Sequence, residues 1–167
     1  MFESLLVANR GEIAIRIMQT AKKMGIRTIA IYSEADTNAL HVKYADDAVY
    51  VGPSPSTESY LQLDNVLAAI DESGAQAVHP GYGFMSEKDY FAQAVMDKGV
   101  AWIGPKPDAI LNMGDKIISK KIASEAGVNT VPGILDAIDD LDEALAELAG
   151  DDEDMIGEDD LELGEEY

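Results

Sequence analysis

The sequence predicts an α/β protein, an open, doubly wound parallel sheet of about five strands followed by an acidic C-terminal tail. Three observations lead there. Short apolar, β-rich runs alternate with segments of helical period, the pattern of parallel strands joined by crossover helices. Those runs are short and largely apolar, as buried parallel strands are. The charge is also lopsided: residues 1–133 carry 12 basic and 16 acidic side chains, whereas residues 134–167 carry 16 acidic and none basic.

Each element has its own reason. Leu5-Leu6-Val7-Ala8 forms the first strand, and residues 12–24 follow as a helix with Ile13, Ile17, Ala21 and Met24 along one face. Gly25 ends that helix by supplying a left-handed residue. Thr28–Tyr32 is the second strand and Ala48–Val51 the third, stopped by Gly52-Pro53. Leu63, Val66, Leu67 and Ile70 mark a helix, Ala75–Val78 a strand, and Phe91, Ala94 and Val95 another helix. Val100–Ile103 is the fifth strand, closed by Gly104-Pro105, and a last helix runs from about Asp115 to Ala126 and stops at Gly127. No segment repeats.

Length and composition bound the rest. The 167 residues, 47% hydrophobic, suffice for one domain with a core that needs no metal or disulfide staple. The absence of cysteine excludes thiolate catalysis, thiolate metal sites and disulfides together. No basic leader precedes the first apolar run, and no apolar stretch approaches a bilayer span, so a soluble, cytoplasmic protein without membrane association is expected. A net charge of -20 disfavours nucleic acid as a partner. Domain 1–133 is expected to be followed by a short amphipathic helix or linker over 134–149, where Leu141, Leu145 and Leu148 recur at helical spacing. Residues 150–167 read as a disordered acidic tail, because few apolar side chains offset mutual repulsion. Asp152, Asp154 and Gly157 begin a calcium-loop pattern, but Ile156 and Leu163 stand where oxygen ligands are required, so no metal site is expected.

In doubly wound sheets ligands bind beyond the carboxyl ends of the strands. That selects the loops 9–12, 32–36, 79–87 and 104–106. His79-Pro80-Gly81-Tyr82-Gly83-Phe84 stands out, since two glycines around an aromatic let backbone approach a ligand while the ring offers a stacking face. The alternative, favoured by composition alone, is a turn whose aromatics close the core. The first turn, Asn9-Arg10-Gly11-Glu12, has one glycine and a carboxylate where a dinucleotide loop needs three glycines, so a nicotinamide cofactor is not expected. Asn9 reads most simply as a helix N-cap. Lys116 and Lys120 open the last helix against its dipole, which raises phosphate binding beside an ordinary solvated face. His41 and His79 are the only histidines, too few for a histidine metal site.

Taken together, Leu6–Arg16, Asn38–Val42, His79–Glu87, Ile103-Gly104-Pro105, Met113-Gly114-Asp115-Lys116 and Ala126–Gly133 closely resemble the N-terminal domain of biotin carboxylases, in the same order. The last block is most similar to propionyl-CoA carboxylase α subunits. The resemblance implies a Rossmann-like domain that precedes an ATP-grasp domain in an ATP- and bicarbonate-dependent ligase. That enzyme carboxylates biotin for transfer to an acyl-CoA. It implies an ATP contact for Lys116, a place beside the biotin ureido ring for Tyr82 and Gly83, and a subunit-interface role for Arg16. Gln19 and Lys23 depart from a charge pair that some members carry at that interface. Implied cofactors are ATP with Mg²⁺ and biotin. Implied partners are the ATP-grasp portion, a biotin carboxyl carrier domain, a carboxyltransferase β subunit and a second copy in a homodimer. The ATP-grasp lid, metal-binding glutamates and catalytic arginine have no counterpart in the sequence, so no catalytic residue is assigned and the chain is expected to be inactive alone. The competing expectation is a non-catalytic interaction or dimerisation module with an acidic tail.

Overall fold

The structure is a computed structural model that describes residues 2–130. The residue-133 boundary, the 134–149 helix or linker and the 150–167 tail lie outside the described residues. The chain divides into two compact units, Met1–Gly114 and Asp115–Tyr167, each considered by itself.

The first unit is built on five parallel strands, β1 (Ser4–Val7), β2 (Arg27–Ser33), β3 (Asp47–Gly52), β4 (Ala77–His79) and β5 (Ala101–Trp102), in the order β3-β2-β1-β4-β5. Leu6 at its centre pairs in register with Ile29 on one side and Val78 on the other. Parallel neighbours need crossovers, supplied by α1 (Gly11–Lys23), α2 (Leu40–Tyr44), α3 (Leu63–Ser73) and α4 (Asp89–Asp97). A further helix, α5 (Pro107–Gly114), follows β5. Among the described residues no helix is long and apolar enough to cross a membrane.

Alternation along β1 divides the core. Leu6 and Ala8 face one side with Ile29, Ile31, Val66, Ile70, Phe91 and Val95, beneath α3 and α4. Leu5 and Val7 face the other with Ala14, Met18 and Ala21 of α1. Each large aliphatic or aromatic side chain buried this way contributes roughly 1.5–3 kcal/mol. Phe91, fully buried, meets the ring of Trp102 edge-on at 5.3 Å and ties α4 to the sheet's end.

Two expectations shift. The buried stripe of α1 is Ala14–Met18–Ala21; it keeps Ala21 of the expected Ile13–Ile17–Ala21–Met24 face but is centred one residue round from it, because two alanines let the helix lie close on the strands. Met24 is exposed, and Gly25 ends the helix at φ +74° as expected. Helices α2 and α5 are both additional to the reading; Pro107 stands at the first position of α5, where a missing N–H costs nothing.

One polar clamp fixes α1 against the β2–β3 edge. Asp46 accepts from Lys22 Nζ at 2.7 Å and from both N–H and Oγ1 of Thr28 at 2.8 Å. Lys22 first, then Thr28, holds this carboxyl down at about 2.

In the second unit, α6 (Lys116–Glu125) is capped by Asp115, whose side chain accepts from the backbone N–H of Ile117 and Ile118 at 2.9 Å each. That carboxylate offsets the cost of beginning a helix with a lysine.

Candidate functional site

The strand order reverses between β1 and β4: the chain winds outward from β1 to β3, then returns to β4 and continues to β5. The crevice at the carboxyl ends of β1 and β4 is therefore the switch point where such sheets bind ligands. A cleft of about 320 Å³ lies there, lined by Asn9, Arg10, Glu12, Ile13, Tyr82, Gly83 and Phe84.

The loop after β4 divides the two readings of its aromatics. Phe84 closes the core, stacked face to face on Tyr60 at 5.4 Å with the planes 1° apart. Tyr82 does not; it is 68% exposed and its ring is presented to solvent. Gly81 (φ +69°) and Gly83 (φ +64°) take left-handed conformations, and Phe84 follows at φ +49°, the only non-glycine with positive φ among the described residues. Such a residue costs on the order of 1–3 kcal/mol unless its surroundings fix it.

The fixing comes from the other strand ends. Asn9 is 3% exposed and is not the helix cap; Arg10 holds that position through its backbone alone. The Asn9 side chain instead donates to Pro80 O at 2.8 Å and Tyr82 O at 2.9 Å and accepts from Arg10 N–H at 2.9 Å. Arg10 Nη2 donates to Asp36 at 2.6 Å, and its guanidinium lies over the Tyr60 ring, 5.8 Å from the centroid. Tyr60 in turn donates to Asp36 at 2.6 Å and accepts from Ser33 N–H at 3.1 Å. Residues beyond β1, β2, β3 and β4 thus form one connected network ending in the Tyr60–Phe84 stack.

Electrostatics agree with the geometry. Burial pushes the Asp36 carboxyl up, but the hydrogen bonds from Arg10 and Tyr60 outweigh it and hold the group below the usual range. Burial, then donation to Asp36, pushes the Tyr60 hydroxyl up to about 12. The carboxylate is ionised and the phenol neutral, each satisfied by the other.

The histidines serve structure. Burial lowers both rings, favouring neutral imidazole. His79 Nδ1 accepts from Gly81 N–H at 3.0 Å, and His41 Nε2 lies 3.2 Å from Ile31 O. Among the described residues no group of three or more His, Cys, Asp or Glu is placed to hold a metal ion.

Of the residues singled out from the sequence, Tyr82 and Gly83 line the crevice, while Arg16 is exposed on α1. There Arg16 borders an apolar groove with Ile13, Ile17 and Met24, and a polar cleft with Gln19 and Lys23. Lys116 is exposed at the first position of α6 in the second unit. Sequence reasoning selected the 32–36 loop but not Asp36 within it, and missed Tyr60. An acidic residue just beyond a buried strand, with an arginine beyond its neighbour, was the available signal.

Residues 1–110 match the model of the family described as biotin carboxylase, N-terminal domain. The propionyl-CoA carboxylase alpha chain of Ruegeria pomeroyi is 59% identical over 145 residues, which are 87% of this chain and 21% of that one. The biotin carboxylase of Halalkalibacterium halodurans is 48% identical over 145 residues, 32% of its length. Among solved structures, the biotin carboxylase domain dimer of Hydrogenobacter thermophilus 2-oxoglutarate carboxylase, in complex with MgADP, ADP and bicarbonate, superimposes with a TM-score of 0.82 at 44% identity. That match covers 90% of this chain and 33% of that one. The pyruvate carboxylase of Rhizobium etli gives 0.73 at 41% identity, covering 80% and 13%. The chain thus spans about a fifth of the first of these relatives and about a third of the second. With a family model matching residues 1–110 of 167, a parallel sheet and the glycine-aromatic loop at its switch point, the chain belongs to the biotin carboxylase N-terminal domain family.

Proposed function

We propose that this chain supplies the N-terminal part of a biotin carboxylase, working in ATP- and bicarbonate-dependent carboxylation of biotin for an acyl-CoA, propionyl-CoA by its similarity to propionyl-CoA carboxylase alpha chains. The observation that carries this reading is the exposed Tyr82–Gly83 face, held rigidly at the switch point of a sheet that matches the family over residues 1–110.

The residues present fit the groups implied. A flat bicyclic ureido ring has Tyr82 as a stacking face and a glycine backbone beside it for close approach. Lys116, at a capped helix start, can hold a phosphate oxygen as a point charge. ATP with Mg²⁺ would supply the activated phosphoryl group, and biotin the nitrogen that is carboxylated. In this reading Tyr82 and Gly83 orient the biotin ring, Asn9, Asp36 and Tyr60 keep that face in place, Lys116 neutralises phosphate charge, and Arg16 sits on the surface where two copies meet. Phosphoryl transfer also needs metal ligands and further phosphate clamps. We assign those to the remaining two-thirds of a biotin carboxylase, the ATP-grasp portion, with a carrier domain and a carboxyltransferase β subunit as the other partners. The chain by itself is then inactive.

The test is reconstitution. The purified chain, an ATP-grasp fragment and free biotin are mixed, and bicarbonate-dependent ATP cleavage is measured. Activity in the mixture and in neither part alone is the expected result. No gain on mixing overturns complementation, and turnover by the chain alone overturns its inactivity.

A further inference from the structure

We infer that Asn9 is the positioning residue for the Tyr82–Gly83 face, a role that rests on the reading of that face as the biotin contact. The carboxamide of Asn9 has two N–H protons, and it spends them on the two carbonyls that bracket Gly81, those of Pro80 and Tyr82. Its oxygen is occupied by Arg10 N–H, so the side chain cannot rotate without giving up all three bonds. The bond to Pro80 is buried, so that carbonyl, once released, would lack a partner out of reach of water, while the part-buried bond to Tyr82 sets the direction of the more exposed carbonyl.

Two consequences follow for the ligand face. The peptide joining Tyr82 to Gly83 is planar and trans, so turning the Tyr82 carbonyl toward Asn9 turns the Gly83 N–H to the opposite side. That N–H meets no acceptor among the described residues. Asn9 therefore fixes the direction of a donor beside the Tyr82 ring through the carbonyl it holds. The same packing explains the glycine at 81: a Cβ built there would lie 2.7 Å from Asn9 Nδ2, so any side chain must displace the carboxamide.

Asp36 does a different job. Its path runs through Tyr60 to Phe84 and anchors the far end of the loop, whereas Asn9 grips the segment that carries Tyr82.

The test uses the 167-residue chain. Asn9→Asp keeps the size of the side chain and the acceptor for Arg10 N–H while removing both donated bonds. Gly81→Ala expels the Asn9 head from the other side. In nitrogen-15 labelled protein, each variant should shift or broaden the amide signals of Gly83 and Phe84, which neither substitution replaces or adjoins, and Asn9→Asp should cut the exchange protection of Gly81 N–H by about tenfold. Leu6, in the central strand, should keep its protection. The two changes combined should do little more than either alone.

In the reconstituted enzyme, Asn9→Asp should raise the KM for biotin by about tenfold with kcat for ATP cleavage little altered, matching Tyr82→Ala. Loop signals unchanged in both variants would overturn the assignment. Were Asn9→Asp to unfold the chain, Gly81→Ala decides alone. Should Tyr82→Ala leave the biotin KM untouched while the loop signals move, the ligand reading fails and the positioning of the loop stands.

Discussion

The loop after β1 and the loop after β4 face each other across one crevice and are built in opposite ways. The first turns inward: Asn9 is buried and every polar atom of its side chain is bonded. The second turns outward, with left-handed residues at 81, 83 and 84 and a tyrosine ring in solvent. The difference teaches that stiffness and display are assigned to separate segments. A strained loop with few contacts of its own can hold one shape because its neighbour across the sheet is over-bonded.

The contrast can be broken most severely at Asp36. Asp36→Ala leaves the Tyr60 hydroxyl and the Arg10 guanidinium without their shared acceptor and should lower stability by about 2 kcal/mol, read as a shift in the urea midpoint at constant slope. Tyr60→Phe keeps the ring stack on Phe84 and loses the hydroxyl, so a smaller loss of about 1 kcal/mol is expected in the same measurement.

How far this was legible in the sequence depends on the range of the contact. The five strands and the α1, α3, α4 and α6 helices were readable because apolar runs and helical periods are local. Helices α2 and α5 were not: α2 has only five residues, too few to display a helical period, and in α5 the stop signal of Gly104-Pro105 masks Pro107 as a start. Asn9 was misassigned for a sharper reason. Next to a helix start the local rule makes it a cap, but its bonds go to residues 71 and 73 positions away, which no local pattern reports. The face of α1 shares Ala21 with the expected one but is centred one residue round, because the packing distance, set by Ala14 and Ala21, outweighs the bulk of Ile13 and Ile17. The loop carrying Tyr82 and Gly83 stands out by its glycines and aromatics, and the resemblance alone gives those two residues a role; neither signal reports the residues that hold them.

Acid sharpens the comparison next. Burial keeps both histidine rings below their ordinary 6.5 in the folded state, so the unfolded chain binds more protons below that value and stability falls as pH drops through it. His79 Nδ1 is the acceptor for Gly81 N–H, so its protonation also frees the loop. His79→Asn, which offers Oδ1 in place of Nδ1 without titrating, should flatten part of the fall in Tm between pH 7.5 and 5.5 and leave the part that belongs to His41. A second fall is expected below pH 4. The folded Asp46 carboxyl sits at about 2 against an ordinary 3.8, so its contribution is present above 3.8 and is lost as pH approaches 2.

The smallest effect on stability belongs to the displayed residue itself. Tyr82→Ala should change the unfolding free energy by less than about 0.5 kcal/mol, since the ring packs on little that folding needs.

That variant also gives the most direct measurement of the central claim, that the crevice between β1 and β4 presents a biotin-contacting face. Biotin-dependent ATP cleavage is followed in the reconstituted enzyme for the original chain and for Tyr82→Ala over a range of biotin concentrations. The account predicts a KM for biotin raised about tenfold with the Tm of the chain unchanged. Equal KM values in the two enzymes would contradict it.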